Sequence, residues 1–378
     1  VGVPFYIAFQ LVPLPFSILH VLSPARESLA AALAPLFPTV SKAPLSVSPP
    51  ATVLSLFTIT AYITTFYLIR DIAWRCRSRI WVPVIPLLIL AGLEAAIGMV
   101  QVGGTYTNRD HFCGLLEMIL PLSLVCGLAM FRKGSSMQIA ITACGVWTVS
   151  VLIFVAIVYS LSRAGFVVAL ASLFVVLALV RRVKFASLWT LILLIPMAFA
   201  LLTTDPLLER FADQISGEAR PYIWRQTWSL IGEFPWFGVG LGGFESTFLK
   251  HQTFAKDYAV QFAHNDYLQY LAELGIVGFS ILSAALIGVI WPIFNGLKHF
   301  VDEERRLLTV GVIGSIVAIG LHSLVDFNMY IPANAMTLAW IVGLGSAHIT
   351  VYKRSEETPG RIVSAERAEG EHLGDEVA

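Results

Sequence analysis

Stretches of roughly 20 mostly apolar residues recur along this chain, separated by short polar connections, and no other feature limits its fold as strongly. At 1.5 Å rise per residue, a helix of that length crosses the ~30 Å hydrocarbon core of a bilayer. About ten windows qualify, near 4–22, 51–69, 80–100, 114–131, 137–159, 165–181, 185–203, 276–296, 307–325 and 334–352. The first is the weakest, because Pro4, Pro13 and Pro15 interrupt it. Hydrophobic residues make up 57% of the chain and charged residues only 13%, where a soluble domain carries about 25% charged. An all-α polytopic membrane protein is therefore expected. The formal net charge is zero, which points to neither nucleic acid nor an acidic partner, so only the placement of charge is informative. Cys76, Cys113, Cys126 and Cys144 form no CxxC or ligand-like spacing and read as packing residues. Val1 to Leu22 lacks the basic n-region of a cleavable signal peptide.

Placement of charge sets an orientation. Arg70, Arg75, Arg77 and Arg79 form one basic cluster, followed by Arg132 with Lys133, then Arg181, Arg182 and Lys184, then Lys298, Arg305 and Arg306, then Lys353 and Arg354. Each falls in an alternate connection, as expected of cytoplasmic loops. The connections between them, "GGTYTNRDHFCG", "LSRAG" and "DFNMYIPAN", hold one basic residue or none and belong on the outer side. One outer connection, 204–275, is far longer than the rest and is the expected extramembrane segment. It should contain short amphipathic helices such as "PYIWRQTWSLIGEF", with Pro221 suited to a first helical position and Trp224 and Trp228 sharing a face. It separates N-terminal spans (1–203) from C-terminal ones (276–352). The polar tail 353–378 is expected to be a disordered cytoplasmic segment.

Ionisable groups near the membrane default to a functional reading, and four outer segments hold them. Arg163, in "SLSRAG", opens two readings: a cation snorkelling to lipid headgroups, or a fixed positive charge for an anionic substrate. Arg220 and Arg225, flanking Pro221, invite the same pair. Arginine suits phosphate because its planar fork donates two parallel hydrogen bonds and never loses its charge. In "QFAHNDYLQYLAELGIVGF", Asn265 or Asp266 is a good N-cap, and Asp266 with Gln269 approximates a capping box. That puts His264 at a helix N-terminus, where a neutral imidazole beside an anion site could act as general base; a simple capping or packing histidine is the other reading. Glu273 is expected to be solvated or paired at the membrane boundary. "GVGLGG" at 238–243 formally satisfies GxGxxG, but it follows a helix-like segment, not a strand, and carries no nucleotide-binding expectation. His322 and Asp326, four apart at a helix end, are expected to hydrogen-bond to each other, with a metal site that includes His111 as the alternative.

Several separated segments together resemble the O-antigen ligase and polymerase family of bacterial envelope proteins: "GTYTNRDHFCGLLEMILPLSL", "YSLSRAGF", "RPYIWRQTWSLIGEFPWFGVGLGGF", "FAHNDYLQYLAELGIVGF" and "HSLVDFNMYIPAN". They run from about Gly103 to Asn334 in the family's order, with its long outer loop between helices. The resemblance implies an inner-membrane glycosyltransferase with its site facing the periplasm. It would move a glycan from an undecaprenyl-diphosphate carrier to a hydroxyl acceptor, such as lipid A core or another glycan or protein, without metal, nucleotide or other cofactor. It also implies that Arg163 and Arg220 hold the carrier's diphosphate and that His264 is the base. Arg225, Asn108, Arg109, His322 and Asp326 are candidate supporting residues. A polymerase of the same superfamily, using a second carrier-linked glycan as acceptor, is the nearest alternative. A small-anion transporter is the more distant one.

Overall fold

The computed structural model describes residues 2–33, 41–134, 136–180, 220–253, 259–298, 300 and 302–357. The chain is mostly helical. Six described helices are long and apolar enough to cross a membrane: α4 (Pro49–Arg75), a 3-10 turn continuing into α5 (together Val82–Val100), α6 (Arg109–Arg132), α7 (Met137–Tyr159), α11 (Asp266–Gly296) and α12 (Glu303–His322). A shorter apolar helix, α8 (Arg163–Leu179), occupies the expected window at 165–181, and α13 (Pro332–Glu357) covers the window at 334–352 and runs on through Lys353 and Arg354. The window expected at 185–203 and the chain beyond Glu357 lie outside the described residues.

One expected span is corrected. Residues 2–33 form three short helices, α1 (Gly2–Gln10), α2 (Phe16–Leu22) and α3 (Pro24–Leu33), none long enough to cross. Pro13 and Pro15 supply no backbone N–H, so the chain turns there. Leu14–Pro15 (β1) instead pairs antiparallel with Lys42–Ala43 (β2), and this two-residue ladder closes the N-terminal segment on itself.

The bundle is built around α6, of whose apolar window 89% is buried. Small residues let its neighbours approach. A Cβ at Gly311 or Gly314 of α12 would collide with Val125 or Pro121 of α6, and one at Gly127 with Trp147 of α7. Ser150 donates to Ser123 at 2.9 Å across the α6–α7 contact. The basic ends meet at one end of the bundle. There Arg132 pairs with Glu303, Lys133 with Glu304, Arg305 donates to the Arg77 carbonyl and Arg306 to that of Leu179. Cys113 and Cys126 are buried in the core as expected, while Cys144 is exposed on α7.

The outer segment contributes α9 (Arg220–Glu233) and the short α10 (Phe244–Phe248) and is joined to the bundle through a broken helix. Within α11, Gly275 adopts φ 64° and ψ −178°, a region open essentially to glycine alone. Such a break frees backbone groups that must be satisfied elsewhere. The N–H groups of Val239 and Gly240 donate to the carbonyls of Ala272 and Glu273, and those of Ile276 and Val277 donate to Pro235 and Trp236. The Tyr6 hydroxyl takes the Leu274 carbonyl, and Gln10 Nε2 donates to the carbonyls of Glu273 and Phe237. "GVGLGG" is thus a backbone splice. A Cβ on Gly238 would lie 2.4 Å from the Glu273 backbone, and one on Gly275 would lie 2.4 Å from that of Trp236.

Gly275→Ala should therefore lower the yield of folded protein and its thermal midpoint in detergent, by at least the ~1–2 kcal/mol cost of a left-handed backbone on an L-residue. Gly288→Ala, on the same helix with open space for a Cβ, should leave both unchanged. Equal melting of the two variants would remove the splice as a structural requirement.

Candidate active site

The end of the bundle opposite the basic cluster gathers the polar residues. Asn265 is the N-cap of α11. Its Oδ1 accepts from Leu268 N at 3.0 Å, and its Nδ2 donates to the Leu324 carbonyl at 2.8 Å. Gln269 does not complete a capping box with Asp266; its Oε1 accepts from Ala263 N at 2.7 Å. Trp224 Nε1, from α9 (Arg220–Glu233), donates to the His264 carbonyl at 3.3 Å. With the backbone pinned on both sides, His264 is held at φ +49°. A non-glycine residue there costs about 1 kcal/mol or more, and such strain concentrates at functional sites.

His264 Nδ1 lies 3.2 Å from Asp326 Oδ1, in the connection that follows α12. Asp326 is 1% exposed, and burial by itself would raise its pKa. His111 and His264, drawn up against it, outweigh that and hold the carboxyl well below the usual range. An ionised carboxylate can only accept, so Nδ1 of His264 carries the hydrogen and the basic lone pair falls on Nε2. The other carboxylate oxygen faces His111 Nε2 at 3.7 Å. Phe327 fills the space between the two imidazoles. His111 meets its ring edge-on at 4.5 Å and His264 at 4.9 Å, while Phe262 stacks on it at 4.0 Å.

The expected His322–Asp326 hydrogen bond does not form. His322 ends α12 and turns into the bundle, where its Nδ1 lies 2.8 Å from Oε1 of Glu117 on α6, both side chains fully buried. Asp326 lies beyond the helix end, so the four-residue spacing no longer puts the two on one face. Among the described residues no group of three or more His, Cys, Asp or Glu is placed to hold a metal ion.

Of the arginines, Arg220 is brought to this site. It opens α9, and its Nη2 reaches Asp110 Oδ2 at 3.4 Å. Asp110 immediately precedes His111, and Trp224, one turn after Arg220, bonds to His264. Arg220, Trp224, His264, Asp326, His111 and Asp110 are therefore linked in a ring, by side-chain contacts at four steps and by the chain itself between Arg220 and Trp224 and between Asp110 and His111. Arg163 is the first residue of α8, half-buried at the same end. A Cβ on Gly165, two residues on, would sit 2.5 Å from Cys113, so α8 starts against the first turn of α6. Asn108 caps α6, accepting from Asp110 N at 2.9 Å, and Arg109 opens that helix half-buried. Arg225 is exposed, about 140° round α9 from Arg220 at 100° per residue.

Three acids were not assigned these contacts from the sequence. Glu273 is 1% exposed, not solvated, and accepts from Gly242 N, Phe244 N, the Tyr330 hydroxyl and Gln269 Nε2. Asp266 accepts from Ser323 Oγ at 2.6 Å and from Met329 N at 3.1 Å, fastening the start of α11 to the connection that carries Asp326. Glu94 of α5 accepts from Thr105 N and Oγ1 and so holds the "GGTYTN" turn. Each lies in or beside an apolar run, and an acid in such a place is the available signal.

Residues 148–283 match the family model described as O-antigen ligase, a stretch that contains Arg163, Arg220, His264 and the break at Gly275. The match supports an O-antigen ligase/polymerase-related family, whose members are glycosyltransferase-like enzymes. Comparison with curated proteins finds no match.

Glu273→Leu leaves four donors without their acceptor. At ~1–3 kcal/mol for a buried unsatisfied group, it should cost several kcal/mol and abolish folded protein on size-exclusion chromatography. Glu273→Gln, which keeps an acceptor oxygen, should lower the melting temperature only in part. Indistinguishable melting of Glu273→Leu and wild type would refute the clamp.

Proposed function

We propose that this protein transfers a glycan from an undecaprenyl-diphosphate carrier to a hydroxyl acceptor at the periplasmic face, as a ligase. The observation that carries the reading is the buried Asp326 carboxylate on Nδ1 of a strained His264, in the same ring as Arg220. In the reaction the acceptor oxygen attacks the anomeric carbon while the bond from that carbon to the diphosphate oxygen breaks. His264 Nε2 takes the hydroxyl proton. Asp326 fixes the tautomer and stabilises the imidazolium that forms, the division of labour seen in acid–histidine pairs. Arg163 and Arg220 stabilise the charge that builds on the departing diphosphate. Asp110 keeps Arg220 extended toward the site until the carrier's phosphates compete for it. The periplasmic orientation is supported by the gathering of Arg77, Arg132, Lys133, Arg305 and Arg306 at the opposite end. No step calls on a metal, a nucleotide or another cofactor.

The test is reconstitution of the purified protein with undecaprenyl-diphosphate-linked glycan and an acceptor. Arg163→Ala, Arg220→Ala and His264→Ala should each slow transfer by on the order of 10²–10³, and Asp326→Asn by about 10², with normal amounts of protein in the membrane. Wild-type transfer by His264→Ala would overturn the base assignment. Anion flux without transfer would overturn the enzyme. Extension of one carrier-linked glycan by another, with no use of lipid A core, would make it a polymerase.

A further inference from the structure

Behind Asp326, five buried polar atoms have no hydrogen-bond partner among the described residues: His111 Nε2, Asp326 Oδ2, His322 Nε2, Glu117 Oε2 and Asn328 Nδ2. All five side chains are at least nine-tenths buried. They lie along one seam. His111, Gly114 and Glu117 follow one another at three-residue steps on α6. His111 faces Asp326 at 3.7 Å, a Cβ on Gly114 would lie 2.0 Å from Asn328 Oδ1, and Glu117 holds His322 at 2.8 Å. Asn328 Oδ1 already accepts from Asn334 Nδ2, which also donates to the His111 carbonyl, so the open atom of Asn328 is its donor. Asp326 and His322 are within electrostatic reach of one another.

The chemistry of these atoms selects their ligand. Two are acceptors on carboxyl groups, one is an amide donor, and two are imidazole nitrogens that can play either part. A cation would be opposed by the amide N–H, and an anion by the carboxylates. A species that both donates and accepts serves all of them, and buried water typically bridges about three such groups. We propose that this seam holds ordered water bonded to Asp326 Oδ2, His111 Nε2 and His322 Nε2, and that through it the Glu117–His322 pair acts as a positioning element for Asp326. Asp326 is then held at both oxygens, by His264 on one and by the water on the other. The carboxylate that orients the base is thereby tied to the bundle core as well as to the loop that carries it. The kinetic part of this proposal rests on the function proposed above.

Two measurements test it. The first is a cryo-electron microscopy map of the full chain in lipid nanodiscs, sharp enough to show bound water. Density within hydrogen-bonding distance of Asp326 Oδ2 and His111 Nε2 is expected. Asp326 Oδ2 bonded directly to a histidine, with no density beside it, would overturn the site. The second is transfer kinetics of Glu117→Gln and His322→Gln. Each should lower kcat about tenfold, the scale of one lost hydrogen bond to an ionised group, with KM for the carrier-linked glycan unchanged. In an Asp326→Asn background both losses should vanish, because the positioned charge is already gone. Losses that multiply with Asp326→Asn, or a change confined to KM, would reduce the pair to a packing role. The near-isosteric Glu117→Gln decides if His322→Gln fails to fold. If the wild-type protein transfers no glycan, the proposed function falls, and the density alone still decides the water site.

Discussion

Every backbone polar group inside a bilayer has to find a partner within the protein, and this chain meets that constraint at its weakest point, the break in α11. An interrupted helix leaves carbonyls on one side and N–H groups on the other. Here they are taken up by Pro235–Gly240 and by Tyr6 and Gln10 from the N-terminal helix. The interruption thus fastens the outer segment, the first helix and a spanning helix into one piece. Glu273, one turn before the break region ends, extends the same logic by collecting donors from residues 242 and 244 and from Tyr330. The short first part of α11, from Asp266, is consequently rigid, and it carries His264 on its leading edge.

The polar end of the molecule is organised around one carboxylate. Asp326 is buried, ionised and shared between two histidines that come from opposite directions, His264 from the outer segment and His111 from the central helix. The attraction joins elements more than 60 residues apart in sequence. Phe327, directly after it, meets both imidazoles edge-on and keeps them apart. Arg220 approaches the same place under the control of Asp110, so the acidic residue beside His111 serves the arginine while His111 serves Asp326.

Much of this was legible in the chain. The apolar windows from 51 to 181 and from 276 onward became helices close to the expected bounds, because burial in a bilayer is decided by the local run of side chains. Asn265 as N-cap and the placement of His264 just before a helix followed from local hydrogen-bonding chemistry. The window at 4–22, the weakest of the ten for its prolines, is no single span, because the helix that begins at Gly2 ends at Gln10 and a new one begins only after Pro15. His322 and Asp326 were misread for a similar reason: a four-residue spacing implies a shared face only while the helix lasts, and here it stops at His322. The sequence leaves Glu117 without a reading and Glu273 as solvated or paired, because Glu117's partner His322 lies 205 residues away and all of Glu273's donors but Gln269 lie 29 or more away.

What the sequence determined by itself was the membrane character, the approximate helices, the division into a basic end and a polar end, and the residue types available for phosphate and for proton transfer. These depend on side-chain transfer energies and on interactions between near neighbours. Only the tertiary structure decided which polar residues meet. It gave Asp326 to His264 and His111, gave His322 to Glu117, and gave the glycines at 238–243 to the broken helix. Those choices depend on how helices distant in sequence pack around α6 and on the need to pair each buried charge and each freed backbone group, and neither is encoded in any one stretch of the chain.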